Sequence, residues 1–371
     1  MVHAMLSPSR CICIAVVCAL QCPLCSVTKA RGKGLRMNWK VWRLWVAGTR
    51  PRTLPASIAP VIVGAACAFR QIDMLGTCIA IYPVPAECVT RHALQQTLLA
   101  RFWTVAVLCA AVALFLQIAV NFANDYSDGI RGTDDHRAAD ESQSGKPQRL
   151  TASGLVPPKR VLAAAGTAAA LACIAGIAAI VISHSWWLFA VGAASLIAGW
   201  FYTGGRHPYG YAGFGELGVF VFFGLAATLG TQYALAGTLD ITGILAAVCC
   251  GLNAMLLLMV NNLRDIDEDA AHGKRTLAVR LGERGARFAL IACATVALVI
   301  AALLMTAMWP VWGTIMVLIS VIMPMRMIRN ANGGDFRAAL SDAGRQTLLF
   351  AILFVICSCA SSVQIWFTGL L

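Results

Sequence analysis

Charge is what this sequence has least of. Asp, Glu, Lys and Arg make up only 12% of its 371 residues, about half the ~25% of an ordinary soluble domain. Hydrophobic residues reach 59%, and the mean hydropathy is +0.74. A chain so poor in charge cannot cover a water-facing surface, which excludes a soluble globular protein and points to a polytopic membrane protein. Acids are scarcer than bases, 17 against 29, for a net charge of +12. In a soluble protein that excess would suggest a nucleic-acid partner. In a membrane protein the cytoplasmic loops collect Lys and Arg, so no nucleic acid is implied.

Clustered metal ligands of the zinc type are also lacking. Cys22 and Cys25 have C-x-x-C spacing, but neither a second pair nor a histidine cluster completes a site. Cys109, Cys173, Cys249, Cys250 and Cys293 sit singly in apolar runs, where free cysteine packs as a small hydrophobe. No repeat period is evident, and the alternating pattern of a membrane barrel is missing. Helices are what remains, because lipid leaves backbone polar groups to be satisfied within the segment.

About 20 apolar residues cross a hydrocarbon core. Runs of that kind are expected at 54–70, 102–123, 160–182, 184–203, 214–236, 240–261, 286–306, 309–325 and 347–368. The mixed segment 71–101 is expected to include an interfacial helix. Residues 1–36 carry no acid and hold five cysteines. Three readings of them stay open: a signal-peptide core, part of a transit peptide, or, the favoured one, an upstream extension ahead of a start at Met37. The fold class is therefore all-α, with about nine transmembrane helices and one membrane domain over 37–371. With the N-terminus cytoplasmic, 26 of the 29 Lys and Arg fall on the cytoplasmic side, and Arg70, Arg91 and Arg101 are the exceptions. A wrong span count would scramble that asymmetry.

Two acid-rich loops stand out, both at cytoplasmic span ends. The first, Asn121 to Asp135, reads NFANDYSDGIRGTDD; the second, Asn261 to Thr276, reads NNLRDIDEDAAHGKRT. Asp125 and Asp128 share a face if helix continues through them, and Asp265 and Asp269 are one turn apart. Clustered carboxylates repel one another, so something must offset them. Hard cations such as Mg²⁺ take a few carboxylates together with substrate phosphates. Arg131, Lys146 and Arg149 accompany the first cluster, and Arg264, Lys274 and Arg275 the second. Carboxylates, a divalent cation and bases together suit a diphosphate, whose oxygens Arg holds in bidentate fashion. Stabilising a leaving diphosphate releases an allylic cation. An electron-rich aromatic ring can capture it where water is kept out.

At this point the residues resemble a known family, the UbiA superfamily of intramembrane aromatic prenyltransferases, over roughly residues 40–370. The N-D-x-x-D part of its first motif matches Asn124, Asp125 and Asp128. Gly132 stands where the next Asp is usual, and Asp134 follows two positions later. That variant is similar to the branch that prenylates 1,4-dihydroxy-2-naphthoate. Asp265 and Asp269 match the second motif, D-x-x-x-D. Three further stretches resemble the same branch: RPRTLPASIAPVIVG from Arg50, RLTASG from Arg149 and GGRHPYGYAGFGELGVFVFFG from Gly204.

The resemblance implies helices around a central cavity in the plasma (inner) membrane, with the acidic loops cytoplasmic. It implies transfer of a prenyl group from polyprenyl diphosphate to 1,4-dihydroxy-2-naphthoate, with diphosphate and CO₂ leaving and demethylmenaquinol forming. It implies Mg²⁺ on Asp125, Asp128, Asp134, Asp265 and Asp269, with Asn124 and Asn261 helping. Arg264, Lys274 and Arg275 would neutralise the leaving group, with Lys146 and Arg149 beside the donor.

Arg50 or Arg52 would place an anionic substrate group, or else only set topology; Pro51 and Pro55 argue against helix there. Tyr202, Tyr209 and Tyr211 would line the aromatic pocket, steadying a cation through a ring face, or belong to the interfacial belt. Trp186, Trp187, Trp200, Trp309 and Trp312 read as belt residues. No general base is identified. Another aromatic acceptor, such as 4-hydroxybenzoate, homogentisate or haem, is the nearest alternative. A CDP-alcohol phosphatidyltransferase is disfavoured because DYSDGIRG lacks the Ala-Arg pair and the following G-x-x-x-D-x-x-x-D. A cation transporter is disfavoured because the acids sit at span ends, not mid-span.

Overall fold

The computed structural model describes residues 39–51, 53–76, 86–131, 150–152, 154 and 156–368. The readings made for residues 1–36 lie outside them. All regular structure among the described residues is helical. In chain order the helices are α1 Trp39–Gly48, α2 Leu54–Leu75, α3 Ala86–Ile130, α4 Pro158–Ser183, α5 Leu188–Thr203, α6 Gly215–Ala236, α7 Ile241–Arg264, α8 Ile266–Ala271, α9 Leu277–Met308, α10 Pro310–Asn332 and α11 Phe336–Thr368.

Eight of these are long and apolar enough to cross a membrane. The ninth expected span is α5, only 16 residues long and so about 24 Å. The Ser183–Trp187 turn takes the start of the run 184–203: His184 has φ +57°, and the Ser185 N–H donates back to the Ile180 carbonyl at 3.2 Å. Helix α3 differs in the opposite sense. Its 45 residues measure about 67 Å, more than twice a ~30 Å hydrocarbon core. Residues 86–101, within the segment expected to include an interfacial helix, are continuous with the second span. Nothing in 86–101 breaks a helix, since neither Pro nor Gly occurs there.

Cα packing divides the chain into two compact units. One takes the chain up to Leu54 together with Phe115–Leu171. In it the end of α1, the last turns of α3 and the segment from Leu150 meet. The Trp45 and Phe122 rings pack edge to face, 5.8 Å apart, and Phe122 and Leu150 are fully buried. Gly48 is required here, because a Cβ on it would lie 2.5 Å from Leu150 Cδ1 and 2.8 Å from Phe122 Cε1.

The other unit takes Pro55–Leu114 and everything from Ala172. One core layer joins α2, α7, α9 and α11 through Val63, Cys250, Met305 and Phe354. A second, around Leu256, Val260, Leu290 and Met327, lies under the end of α7. A third joins α2, α3 and α6 through Ile72, Phe102 and Leu235. Helices α6 and α7 cross where Gly224 and Gly251 bring their backbones into direct contact, the small-residue crossing typical of membrane helices. The expected single thiols are free, with Cys249, Cys250 and Cys293 buried and Cys109 and Cys173 half-buried. Apolar residues such as Trp103, Phe288, Leu303 and Leu318 stay exposed along the spans, as lipid-facing positions should.

Contacts within this unit sort the helix ends into two sets. Arg70 donates to Thr242 Oγ1, and Arg101 to the Ile182 and Ser183 carbonyls. Trp187 meets Tyr233 edge to face at 5.0 Å. These ends all belong to the side with few basic residues. At the opposite ends the Arg275 N–H donates to the Tyr211 carbonyl at 2.8 Å, and Arg287 to the Ala331 carbonyl. Helix α5 links one set to the other, so it crosses despite its length.

Candidate functional site

In the first unit, α3 continues through Asp125 and Asp128 and stops at Ile130, just past Gly129. The two acids therefore do share a face. Asn121, one turn earlier, is buried and donates through Nδ2 to the Thr49 carbonyl at 2.9 Å and to Thr53 Oγ1 at 3.4 Å. Gln117 donates to its Oδ1 at 3.0 Å. That amide holds the Thr49–Thr53 turn, which carries Arg50 in the left-handed region at φ +51°. A non-glycine residue there is strained, and such strain clusters where function demands a side-chain direction.

Asp125 is 3% exposed. Its Oδ2 accepts the Leu150 N–H at 3.1 Å, and its Oδ1 the Thr151 N–H at 3.0 Å. The carboxylate thus fastens the start of the segment after the loop onto the end of α3. Asn124 is buried and Asp128 half-buried. Arg52, Asp134, Lys146 and Arg149 lie outside the described residues.

In the second unit, α7 ends at Arg264, and Asp265 sits at the junction with α8 with φ −99° and ψ 12°. Helical hydrogen bonding runs through the junction: the Asp265 N–H donates to the Asn261 carbonyl at 3.1 Å, and the Asp269 N–H to the Asp265 carbonyl at 2.8 Å. Asp265 and Asp269 therefore stay one turn apart on one face. Arg264 grips Asp265 through both ends of its guanidinium, Nε to Oδ1 at 2.6 Å and a terminal nitrogen to Oδ2 at 2.8 Å. Buried Asp269 faces Lys274 Nζ at 3.8 Å, and the Lys274 N–H donates to the Asp269 carbonyl.

Lys274 also lies over the Tyr211 ring, 4.7 Å from its centroid, a cation held by a carboxylate on one side and a π face on the other. Arg275 is exposed, with its N–H on the Tyr211 carbonyl. Tyr202 packs edge to face on Tyr209, 5.5 Å apart. Burial pushes the Tyr209 phenol up to about 12. Tyr211 thus belongs to the second acid cluster's surroundings, while Trp186, Trp187, Trp200 and Trp312 are exposed as belt residues should be and Trp309 is half-buried.

Sequence reasoning passed over one residue. Glu216, in the first turn of α6, is 3% exposed. Its Oε1 accepts from Asn262 Nδ2 at 2.8 Å. Asn262 lies between Asn261 and Arg264 of the second motif. An acid inside an apolar span is itself a functional signal, and Glu216 is the one acid in the run 214–236.

The donor set suits a hard cation shared with phosphate oxygens. Among the described residues no three His, Cys, Asp or Glu side chains gather at one point. The second motif offers two carboxylates, each beside a base.

A profile of the UbiA prenyltransferase family matches residues 88–341. The chain belongs to the UbiA prenyltransferase family. The 1,4-dihydroxy-2-naphthoate octaprenyltransferase of Mycobacterium tuberculosis is 42% identical over 313 residues, 83% of this chain and 94% of the relative. The Escherichia coli protein of the same name is 32% identical over 323 residues, 84% and 94% of the two chains. A UbiA homologue from Aeropyrum pernix superposes with TM-score 0.57 at 15% identity over 82% of this chain and 97% of its own. A UbiA homologue from Archaeoglobus fulgidus, bound to DMAPP and Mg²⁺, gives 0.53 at 14% over 86% and 99%. The likeness to both establishes the fold: a multi-pass, all-helical UbiA membrane protein.

Proposed function

We propose that this UbiA protein transfers the prenyl group of a polyprenyl diphosphate to 1,4-dihydroxy-2-naphthoate, releasing diphosphate and CO₂ and giving demethylmenaquinol. The observation that carries the reading is the second acid cluster, where Asp265 and Asp269 are each met by a cation, Arg264 and Lys274. Two bacterial relatives named for this activity, aligned over more than four-fifths of the chain, support the acceptor.

Asp125, Asp128, Asp265 and Asp269, with Asp134, would hold Mg²⁺, consistent with the Mg²⁺ bound in the archaeal homologue. The ion would supply positive charge to the departing diphosphate, lowering the cost of breaking the allylic C–O bond. The chain's own work is to bind and orient. Arg264 and Lys274, preset by Asp265, Asp269 and the Tyr211 ring, would neutralise the departing diphosphate together with Arg275, and Lys146 and Arg149 would add positive charge from the first loop. Arg50, in the strained turn that Asn121 holds, or Arg52 would place the acceptor's carboxylate. Tyr202 would line the aromatic pocket, and Asn124 and Asn261 would help the acids hold Mg²⁺ and the diphosphate.

Residues 37–371 form one prenyltransferase domain in this reading. It lies in the inner membrane with the N-terminus and both acidic loops cytoplasmic. The distribution of basic residues supports that orientation. So does Cys88, which is disulfide-bonded and falls on the side assigned to the oxidising compartment.

The test is radiolabelled polyprenyl diphosphate with purified protein in detergent, with and without Mg²⁺, offered 1,4-dihydroxy-2-naphthoate and 4-hydroxybenzoate separately. A Mg²⁺-dependent prenylated naphthoquinol, and nothing from the benzoate, is the expected result. Product from the benzoate alone would overturn the acceptor assignment, and product from neither would overturn the activity.

A further inference from the structure

The Asn262 bond accounts for only one oxygen of Glu216. The other, Oε2, is buried and has no hydrogen-bond partner. A buried acceptor left without a donor is costly, and such groups call for a ligand or a catalytic role. The surroundings are built rather than casual. Gly215 sets the α6 backbone against Tyr202, so that a Cβ there would lie 3.4 Å from the Tyr202 hydroxyl. Asn262 ties Glu216 to the motif that carries Arg264 and Asp265. Immediately downstream, Phe220–Ala226 is π-helical, a distortion that often marks functional sites.

The chemistry of the substrates decides what the oxygen is for. A prenyl diphosphate at neutral pH offers only acceptor oxygens and an apolar tail, so it has no donor for a carboxylate. The aromatic acceptor brings two ring hydroxyls. Its own carboxylate is repelled by Glu216 and drawn to arginine. Glu216 is 3% exposed, so bulk water does not satisfy that oxygen.

We propose that Glu216 is a residue of the acceptor site, its Oε2 accepting the hydrogen bond of one ring hydroxyl. The contact fixes which edge of the ring faces the allylic carbon. By polarising the O–H bond it also raises electron density in the ring that attacks. This assignment rests on the aromatic-acceptor reading above.

The test uses the full chain in detergent, with 1,4-dihydroxy-2-naphthoate and its two monomethyl ethers as acceptors. Losing a hydrogen bond to a charged group lowers kcat/KM for the acceptor by roughly 10- to 100-fold, so one ether should be poorer than the parent by that factor in the wild type. Glu216→Gln keeps the volume and a partner for Asn262. It should lose a similar factor with the parent and no longer discriminate against that ether, while KM for the prenyl diphosphate is unchanged.

Wild-type turnover of the parent with neither ether impaired would overturn the Glu216 assignment and leave the proposed activity standing, whether or not the variant folds. So would a Glu216→Gln variant that still discriminates between parent and ether. No wild-type turnover of the parent would overturn the activity itself.

Discussion

Substitutions of Asp125 separate its anchoring of Leu150 and Thr151 from the metal role proposed for it. The carboxylate accepts two backbone N–H groups, at 3.1 and 3.0 Å, and is 3% exposed. Bonds to a charged acceptor contribute about 1.5–3 kcal/mol each, so removing both costs the local structure about 3–6 kcal/mol. At about 1.4 kcal/mol per factor of ten, opening at Leu150 and Thr151 should rise roughly 10²- to 10⁴-fold. Hydrogen–deuterium exchange of the detergent-solubilised protein reads those amides directly. Asp125→Asn retains one carbonyl oxygen and should recover part of the protection without recovering turnover, because a neutral amide is a poor replacement for a Mg²⁺-binding carboxylate. Exchange at 150–151 indistinguishable from wild type in Asp125→Ala would refute the anchoring role. Full activity in Asp125→Asn would refute the metal role.

Asp265→Ala should also abolish turnover, but with protection at Leu150 and Thr151 unchanged, since the Asp125 carboxylate that accepts those two N–H groups stays in place; faster exchange there would contradict the division of labour. Gly48→Val forces a side chain against Leu150 and Phe122, both 0% exposed, and overpacking of that kind costs about 1–3 kcal/mol, so the thermal unfolding midpoint in detergent should fall. Tyr209 titrates near 12 against 10.0 for a free phenol. Its folded state therefore prefers the neutral form, and the stability this gives is present below pH 10 and lost as pH rises towards 12. Compared with the wild type, Tyr209→Phe should lose less stability between pH 9 and pH 11.5; equal losses would argue against burial as the cause.

Hydropathy and basic-residue placement were enough to locate the spans, because both follow from the membrane as solvent. They could not show that α5 would be short, since the Ser183–Trp187 turn depends on a left-handed His184 and not on any loss of apolar character. Nor could they show that α3 would absorb residues 86–101, whose mixed polarity disguises a stretch without helix breakers. The acid clusters were legible because carboxylates spaced by one turn near a bilayer need an explanation. The partnerships within them were not. Asp125 reads as a ligand in sequence, yet its nearest described partners are two backbone amides 25 and 26 positions away, a contact no local pattern encodes.

Arg50 reads as one of two arginines flanking a proline. Its left-handed backbone becomes visible only once Asn121, 71 residues later, is seen holding the turn around it. Glu216 shows the same limit from the other side. Its signal was present as a lone acid in an apolar run, but its meaning depends on Asn262, 46 residues on, satisfying one oxygen and leaving the other without a donor. What sequence hides here is long-range pairing between polar groups at helix ends, and in an intramembrane enzyme that pairing is what turns a set of charges into a site that can tell its two substrates apart.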